Sequence, residues 1–168
     1  MSKIGIFYGS TTGTTEDMAR RVANKLNVSD ADIHDASGIT EATVAGYDAL
    51  ILGSSTWGDG ELQDDWYDAI KTIKKVDLSH KFVALFGCGD SESYSDTFCD
   101  AIGILYEELK GTGCTFCGSV ETTDYTFDAS IAVVNGKFVG LPLDELNEDG
   151  KTDDRIAHWT ESLKKEIN

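Results

Sequence analysis

Proline is nearly absent from this chain: of 168 residues only Pro142 is one, and no Pro-rich, Ser-rich or low-complexity tract interrupts the sequence. A flexible linker is therefore not expected, and the length suits a single domain over residues 1–168 that buries around 70% of its unfolded surface. Basic residues are also scarce. Fourteen Lys and Arg stand against thirty Asp and Glu, a formal charge of −16, which argues against nucleic acid or an anionic membrane as partner and for a basic protein surface. Long apolar runs are missing: the stretch after Lys3 is too short for a signal peptide and none approaches transmembrane length, so a soluble, cytoplasmic monomer is expected. Metal-ligand patterns are missing as well. His34, His80 and His158 are scattered, and the lone CxxC of Cys114 and Cys117 lies in a strand-like segment where positions three apart face opposite sides. The pair therefore reads as structural, and no metal is expected. No Ser-His-Asp, Cys-His or paired-carboxylate arrangement is recognisable.

What the chain does have begins at Gly9. Between the apolar run Ile4 to Tyr8 and a helix-like segment from Glu16 lies GSTTGTT, with five hydroxyls, two glycines and no charge. A strand feeding such a turn into a helix N-terminus converges free N–H groups, hydroxyl donors and the positive dipole end on one point, which suits a phosphate. One hydroxyl would suffice for a helix cap, so five favour a cradle. The lysine of a triphosphate loop and the spacing of a dinucleotide fingerprint are both lacking, which points to a single terminal phosphate.

Apolar and helical patterns alternate along the chain. Ile4 to Tyr8, Ala31 to His34, Ala49 to Leu52, Phe82 to Phe86 and Thr115 to Val120 read as strands, and the central ones are continuously apolar, as parallel strands covered on both faces should be. Thr15 to Leu26, Asp64 to Lys75, Asp96 to Lys110 and Asp153 to Glu166 read as helices, with a short helical turn near Thr40 to Val44. This order predicts an α/β fold, a doubly wound parallel sheet with helices on both faces. From Thr122 to Leu143 the rhythm breaks. Asn135-Gly136 gives a hairpin signal, so this segment is read as an insertion splitting the fifth strand, with Phe138 to Leu141 as the candidate returning strand.

In an open parallel sheet, ligands bind beyond the carboxyl ends of the strands. Two further strand ends carry unusual residues: Ser54 to Gly60, with Trp57, and Gly87 to Asp90 running on to Tyr94. Two rings on one rim can clamp a flat ligand, each stack adding about 0.5–1.5 kcal/mol beyond burial. A planar heterocycle bearing one phosphate is implied.

On these motifs the chain resembles the flavodoxins, and specifically their long-chain subgroup of bacterial or algal type. Ser10, Thr11, Thr12, Gly13, Thr14 and Thr15 match the family's phosphate loop. Ser55, Thr56, Trp57 and Gly58, followed by Asp59 and Gly60, match the first flavin loop, while Cys88, Gly89, Asp90 and Tyr94 match the second. Cys99 falls where some members border the cofactor, though on its own it reads as a helix-core cysteine. The resemblance implies a five-stranded sheet of order 2-1-3-4-5, flavodoxin being the standard example of that order. It also implies FMN as cofactor, Trp57 and Tyr94 on opposite faces of the flavin, and a low-potential electron carrier rather than an enzyme. The implied partners are a ferredoxin/flavodoxin-NADP reductase and an acceptor enzyme. An FMN-dependent NAD(P)H reductase of the same fold is the alternative.

The resemblance further implies that the peptide after Gly58 rotates when the flavin takes one electron; glycine there enters φ > 0 freely, and Gly58→Val is expected to shift that step by about 40–90 mV. Asp59, Glu61, Asp64, Asp65 and Asp68 after the first flavin loop, with Asp90, Glu92, Asp96 and Asp100 at the second, form an acidic surround without Lys or Arg. That surround disfavours a second negative charge on the ring and steers basic partners.

Overall fold

The computed structural model describes residues 2–167. Its elements follow the alternation above: β1 Ile4–Gly9, α1 Thr14–Leu26, β2 Ile33–Asp35, α2 Glu41–Ala45, β3 Ala49–Trp57, β4 Glu61–Leu62, α3 Asp65–Lys74, β5 Phe82–Cys88, α4 Asp100–Leu109, β6 Thr115–Cys117, β7 Val120–Glu121, β8 Val133–Val134, β9 Lys137–Phe138, β10 Leu141–Leu143 and α5 Thr152–Ile167. The main path of the sheet runs β10-β5-β3-β1-β2, all parallel. β6 lies along the first half of β5, pairing Phe82 to Ala84, and β10 along the second half, pairing Phe86 to Cys88. The sheet is thus the expected order 2-1-3-4-5 with the fifth strand in two pieces.

Alternation along the strands sends side chains to two separate cores. Phe7, Leu50, Leu52, Val83 and Leu85 pack with Trp66, Ile70 and Ile73 of α3 and Ile102, Leu105 and Leu109 of α4. Ile6, Ile51, Ala84 and Phe86 pack on the other face with Met18, Ala19 and Val22 of α1 and Ile156, Trp159 and Leu163 of α5. Cys114 belongs to the first face and Cys117 to the second, as their spacing predicted, and all four cysteines are free. Among the described residues no cluster of ligating side chains could hold a metal ion, and no helix is long and apolar enough to cross a membrane.

Five boundaries differ most from expectation. The third strand, expected to end at Leu52, runs on to Trp57, because Thr56 and Trp57 pair antiparallel with Leu62 and Glu61 of β4. Ala31 and Asp32 belong to a 3-10 turn, so β2 starts only at Ile33. The expected strand Thr115 to Val120 stops at Cys117, because Gly118 takes φ 81 and Val120–Glu121 turns into a small antiparallel sheet of order β7-β9-β8. The hairpin lies at Asn135-Gly136 as predicted, but Phe138 stays within it and the returning strand is Leu141–Leu143. Finally, the expected helix from Asp96 is broken: a 3-10 turn covers Ser95–Thr97, and α4 begins only after Cys99, which is left-handed at φ 52. This break turns the fully buried Phe98 under the insertion, where its ring meets Tyr125, Phe127 and Phe138.

Candidate cofactor site

The loops after β1, β3 and β5 meet at the carboxyl edge of the sheet, joined by the turn after β10. Together they line a cavity of about 330 Å³ with Thr12, Thr14, Ser55, Thr56, Trp57, Gly58, Cys88, Gly89, Asp90, Tyr94, Thr97, Cys99, Glu145 and Leu146. A larger hollow of about 500 Å³ opens between Ser2 to Ile4, the end of α1 and the end of α5. It lies at the amino end of β1 and includes neither an aromatic residue nor any part of the hydroxyl-rich loop, so the smaller cavity is where the chemistry converges.

The hydroxyl-rich loop is closed on itself. Ser10 Oγ accepts from the Gly13 N–H at 3.0 Å, and Gly13 caps α1 at φ 95 without a side-chain hydrogen bond. The first helical bond runs from the Asp17 N–H to the Gly13 carbonyl, so the N–H groups of Thr14, Thr15 and Glu16 have no acceptor within the helix. A Cβ on Gly13 would meet nothing within 4 Å. Thr15 Oγ1 is buried and lacks a hydrogen-bond partner apart from a weak contact with the Cys88 thiol. Such a hydroxyl costs free energy unless something accepts from it. The acids of the first turn, Glu16 and Asp17, are each paired at 3.0 Å with Arg20 and Arg21, which blunts their repulsion of an anion.

In the first aromatic loop, Trp57 Nε1 donates to Ser55 Oγ at 2.8 Å and Thr56 Oγ1 accepts from the Ala101 N–H at 3.2 Å. These two hydroxyls therefore act as acceptors that hold the loop. The following turn is closed by the Gly60 N–H on the Trp57 carbonyl. Gly58 has φ 49 and Gly60 φ 97, while Asp59 does not enter positive φ; positive φ at the first central residue alone is the type II′ pattern. A Cβ on Gly58 would touch nothing, whereas one on Gly60 would come 2.7 Å from the Asp100 carboxylate.

The second aromatic loop hangs on Asp90. Its carboxylate accepts from the N–H groups of Glu92 and Ser93 and from Asn147 Nδ2, and the Ser93 bond above all holds Asp90 below the usual carboxylate range. Trp57 and Tyr94 are 41% and 46% exposed, large fractions for such rings, and neither stacks on another aromatic among the described residues. Beneath them, burial pushes the Cys88 thiol up to about 12 and raises that of Cys99 well above its ordinary value. Both are neutral thiols at physiological pH and form part of the cavity lining rather than nucleophiles.

Of the residues expected from the sequence, Ser10, Thr11, Gly13 and Thr15 build the loop behind the cavity wall, and Asp59 faces a neighbouring acidic hollow with Glu92, Asp96 and Asp128. Cys99 lines the cavity from the cap of α4 and not from a helix core. Asp100 is not part of the acidic surface. It is buried and accepts from the Ile131 N–H at 2.9 Å. Asp144, at the end of the returning strand, is also fully buried. Sequence reasoning missed Thr97, Glu145, Leu146 and Gln63. Gln63 is buried and joins two loops by donating to Thr11 Oγ1; no local signal marks it, since its partner lies 52 residues away.

Comparisons with known proteins agree on one kinship. The flavodoxin family model matches residues 6–159. Flavodoxin 1 of Azotobacter vinelandii is 42% identical over 171 aligned residues, covering 99% of this chain and 98% of the relative. The flavodoxin of Buchnera aphidicola subsp. Acyrthosiphon pisum is 43% identical over 164, covering 97% and 96%. Among solved structures, Fusobacterium nucleatum flavodoxin bound to flavin mononucleotide superposes with a TM-score of 0.90 at 30% identity, over 100% of each chain.

Proposed function

Because the chain belongs to the flavodoxin family, we propose that it binds FMN non-covalently and carries electrons at low potential between a reductase and redox acceptor proteins. The supporting observation is the convergence, on one cavity, of Thr12 and Thr14 from an uncharged hydroxyl loop, whose Thr15 hydroxyl is orphaned just behind them, with two exposed, unstacked rings. These residues fit the cofactor: hydroxyl and N–H donors without a lysine suit one terminal phosphate, and Trp57 and Tyr94 suit the faces of a planar ring system. When bound, the flavin supplies the redox chemistry.

The chain's own residues set who can reach it. Thr12 and Thr14 at the wall, with the Thr15 hydroxyl and the free N–H groups of the helix start behind them, hold the phosphate end. Trp57 and Tyr94 cover the ring faces, so a nicotinamide has no face to lie against, while the edge at the cavity mouth stays open to another protein. Asp59, Glu61, Asp64, Asp68, Glu92 and Asp96 are exposed on the segments that carry or follow the two aromatic loops. They oppose extra negative charge in the cavity and speed the approach of a basic partner at low ionic strength.

Mixing the FMN-loaded protein with NADPH separates a carrier from an enzyme with its own turnover. The carrier is reduced only when a ferredoxin/flavodoxin-NADP reductase is added; steady NADPH oxidation by the protein alone would replace this reading with that of a reductase.

A further inference from the structure

The turn after β10 does more than line the cavity. Asp144, fully buried, accepts from the Ser91 N–H at 3.0 Å and from Ser91 Oγ, gripping the second aromatic loop. It also accepts from the Asn147 N–H at 3.0 Å and from Asn147 Nδ2 at 3.0 and 3.1 Å. The same Nδ2 donates to Asp90 Oδ1 at 2.8 Å. Every acceptor of this amide is a carboxylate oxygen, so its nitrogen must face them. One neutral side chain thus bridges two carboxylates that would otherwise repel each other.

Asp90 in turn fixes the loop that follows. Its carboxylate receives the Glu92 and Ser93 N–H groups, and its carbonyl receives the Tyr94 N–H at 3.0 Å. A continuous set of hydrogen bonds therefore runs from Asp144 through Asn147 and Asp90 to Tyr94. Its anchor is the returning half of the split strand, where the Gly89 N–H also meets the Leu143 carbonyl at 2.9 Å. Among the described residues the first aromatic loop has no such tie to this turn: its indole is held within its own loop, by Ser55.

We propose that Asp144 and Asn147 form a latch through which the returning strand sets the position of Tyr94, making Asn147 a positioning residue for the ring on that side of the cavity. The inference rests on the FMN reading for its effect on affinity, but the latch itself is built only from this chain's own groups.

Two measurements test it. In cofactor-free protein, hydrogen exchange at the Glu92, Ser93 and Tyr94 amides is expected to quicken at least about tenfold in Asn147→Ala, with Gly58 to Gly60 unchanged. With FMN, Asn147→Ala is expected to raise Kd about tenfold in the wild-type and Trp57→Ala backgrounds and by less than about twofold in Tyr94→Ala. Unchanged exchange, or an Asn147→Ala effect that persists without the Tyr94 ring, would overturn the latch. If the wild-type chain takes up no FMN but exchange responds as described, the cofactor reading fails and the latch stands.

Discussion

At the scale of single residues, Thr15 and Asp100 carry opposite lessons about burial. Thr15 keeps a hydroxyl in the interior with almost nothing to bond, a cost that a ligand oxygen would remove. Thr15→Val keeps the shape and β-branching, so it is expected to stabilise the cofactor-free protein by about 1 kcal/mol in denaturant titration while weakening FMN binding about tenfold. A loss of stability would show that the hydroxyl is already satisfied. Asp100 is a buried acid whose pKa is raised, chiefly by desolvation, against the opposing Ile131 and Ser130 hydrogen bonds. The sign follows directly: a raised folded pKa means the ionised form is disfavoured on folding, so Asp100 costs stability above its folded pKa and the cost fades as pH falls through it. Asp100→Asn retains an oxygen for the Ile131 N–H, and its advantage over wild type in thermal unfolding is expected to be largest at neutral pH and to shrink toward acid. An advantage independent of pH would assign the effect to packing instead.

At the scale of elements, what the sequence made legible were segments whose pattern is local. The strands Ile4–Gly9 and Phe82–Cys88 and the helix Thr14–Leu26 carry their own periodicity, and the hairpin at Asn135-Gly136 its own turn chemistry. The helix expected from Asp96 failed for a tertiary reason: Cys99 turns left-handed so that Phe98 can enter a ring cluster supplied by residues of the insertion. The returning strand was misplaced for a similar reason, because Phe138 fills that cluster while Leu141–Leu143 aligns with β5. In the hairpin, Asn135 and Gly136 both take positive φ, 53 and 83, and a Cβ on Gly136 would meet open space. Gly136→Ala therefore isolates a backbone effect, expected to lower stability by about 1 kcal/mol in chemical denaturation. No change would mean that the turn relaxes out of the type I′ geometry.

For the molecule as a whole, function concentrates at one sheet edge because parallel strands all point their carboxyl ends there. Residues whose types announced themselves, the hydroxyls of Ser10 to Thr15, the glycines of both aromatic loops and the two rings, were legible since each sits at or a few residues beyond the carboxyl end of its strand. Glu145, Leu146 and Asn147 were not, since they reach the edge only through a strand that returns after a detour from Gly118 to Gly140. The central claim is that this edge holds one flavin by its phosphate and both faces. It is tested most directly by titrating cofactor-free protein into FMN and, separately, into riboflavin, following flavin fluorescence. The account predicts quenching of FMN at one equivalent and binding of riboflavin weaker by about a hundredfold or more, the phosphate contacts being lost. Fluorescence unaltered by a micromolar excess of protein, or riboflavin bound as tightly as FMN, would contradict it.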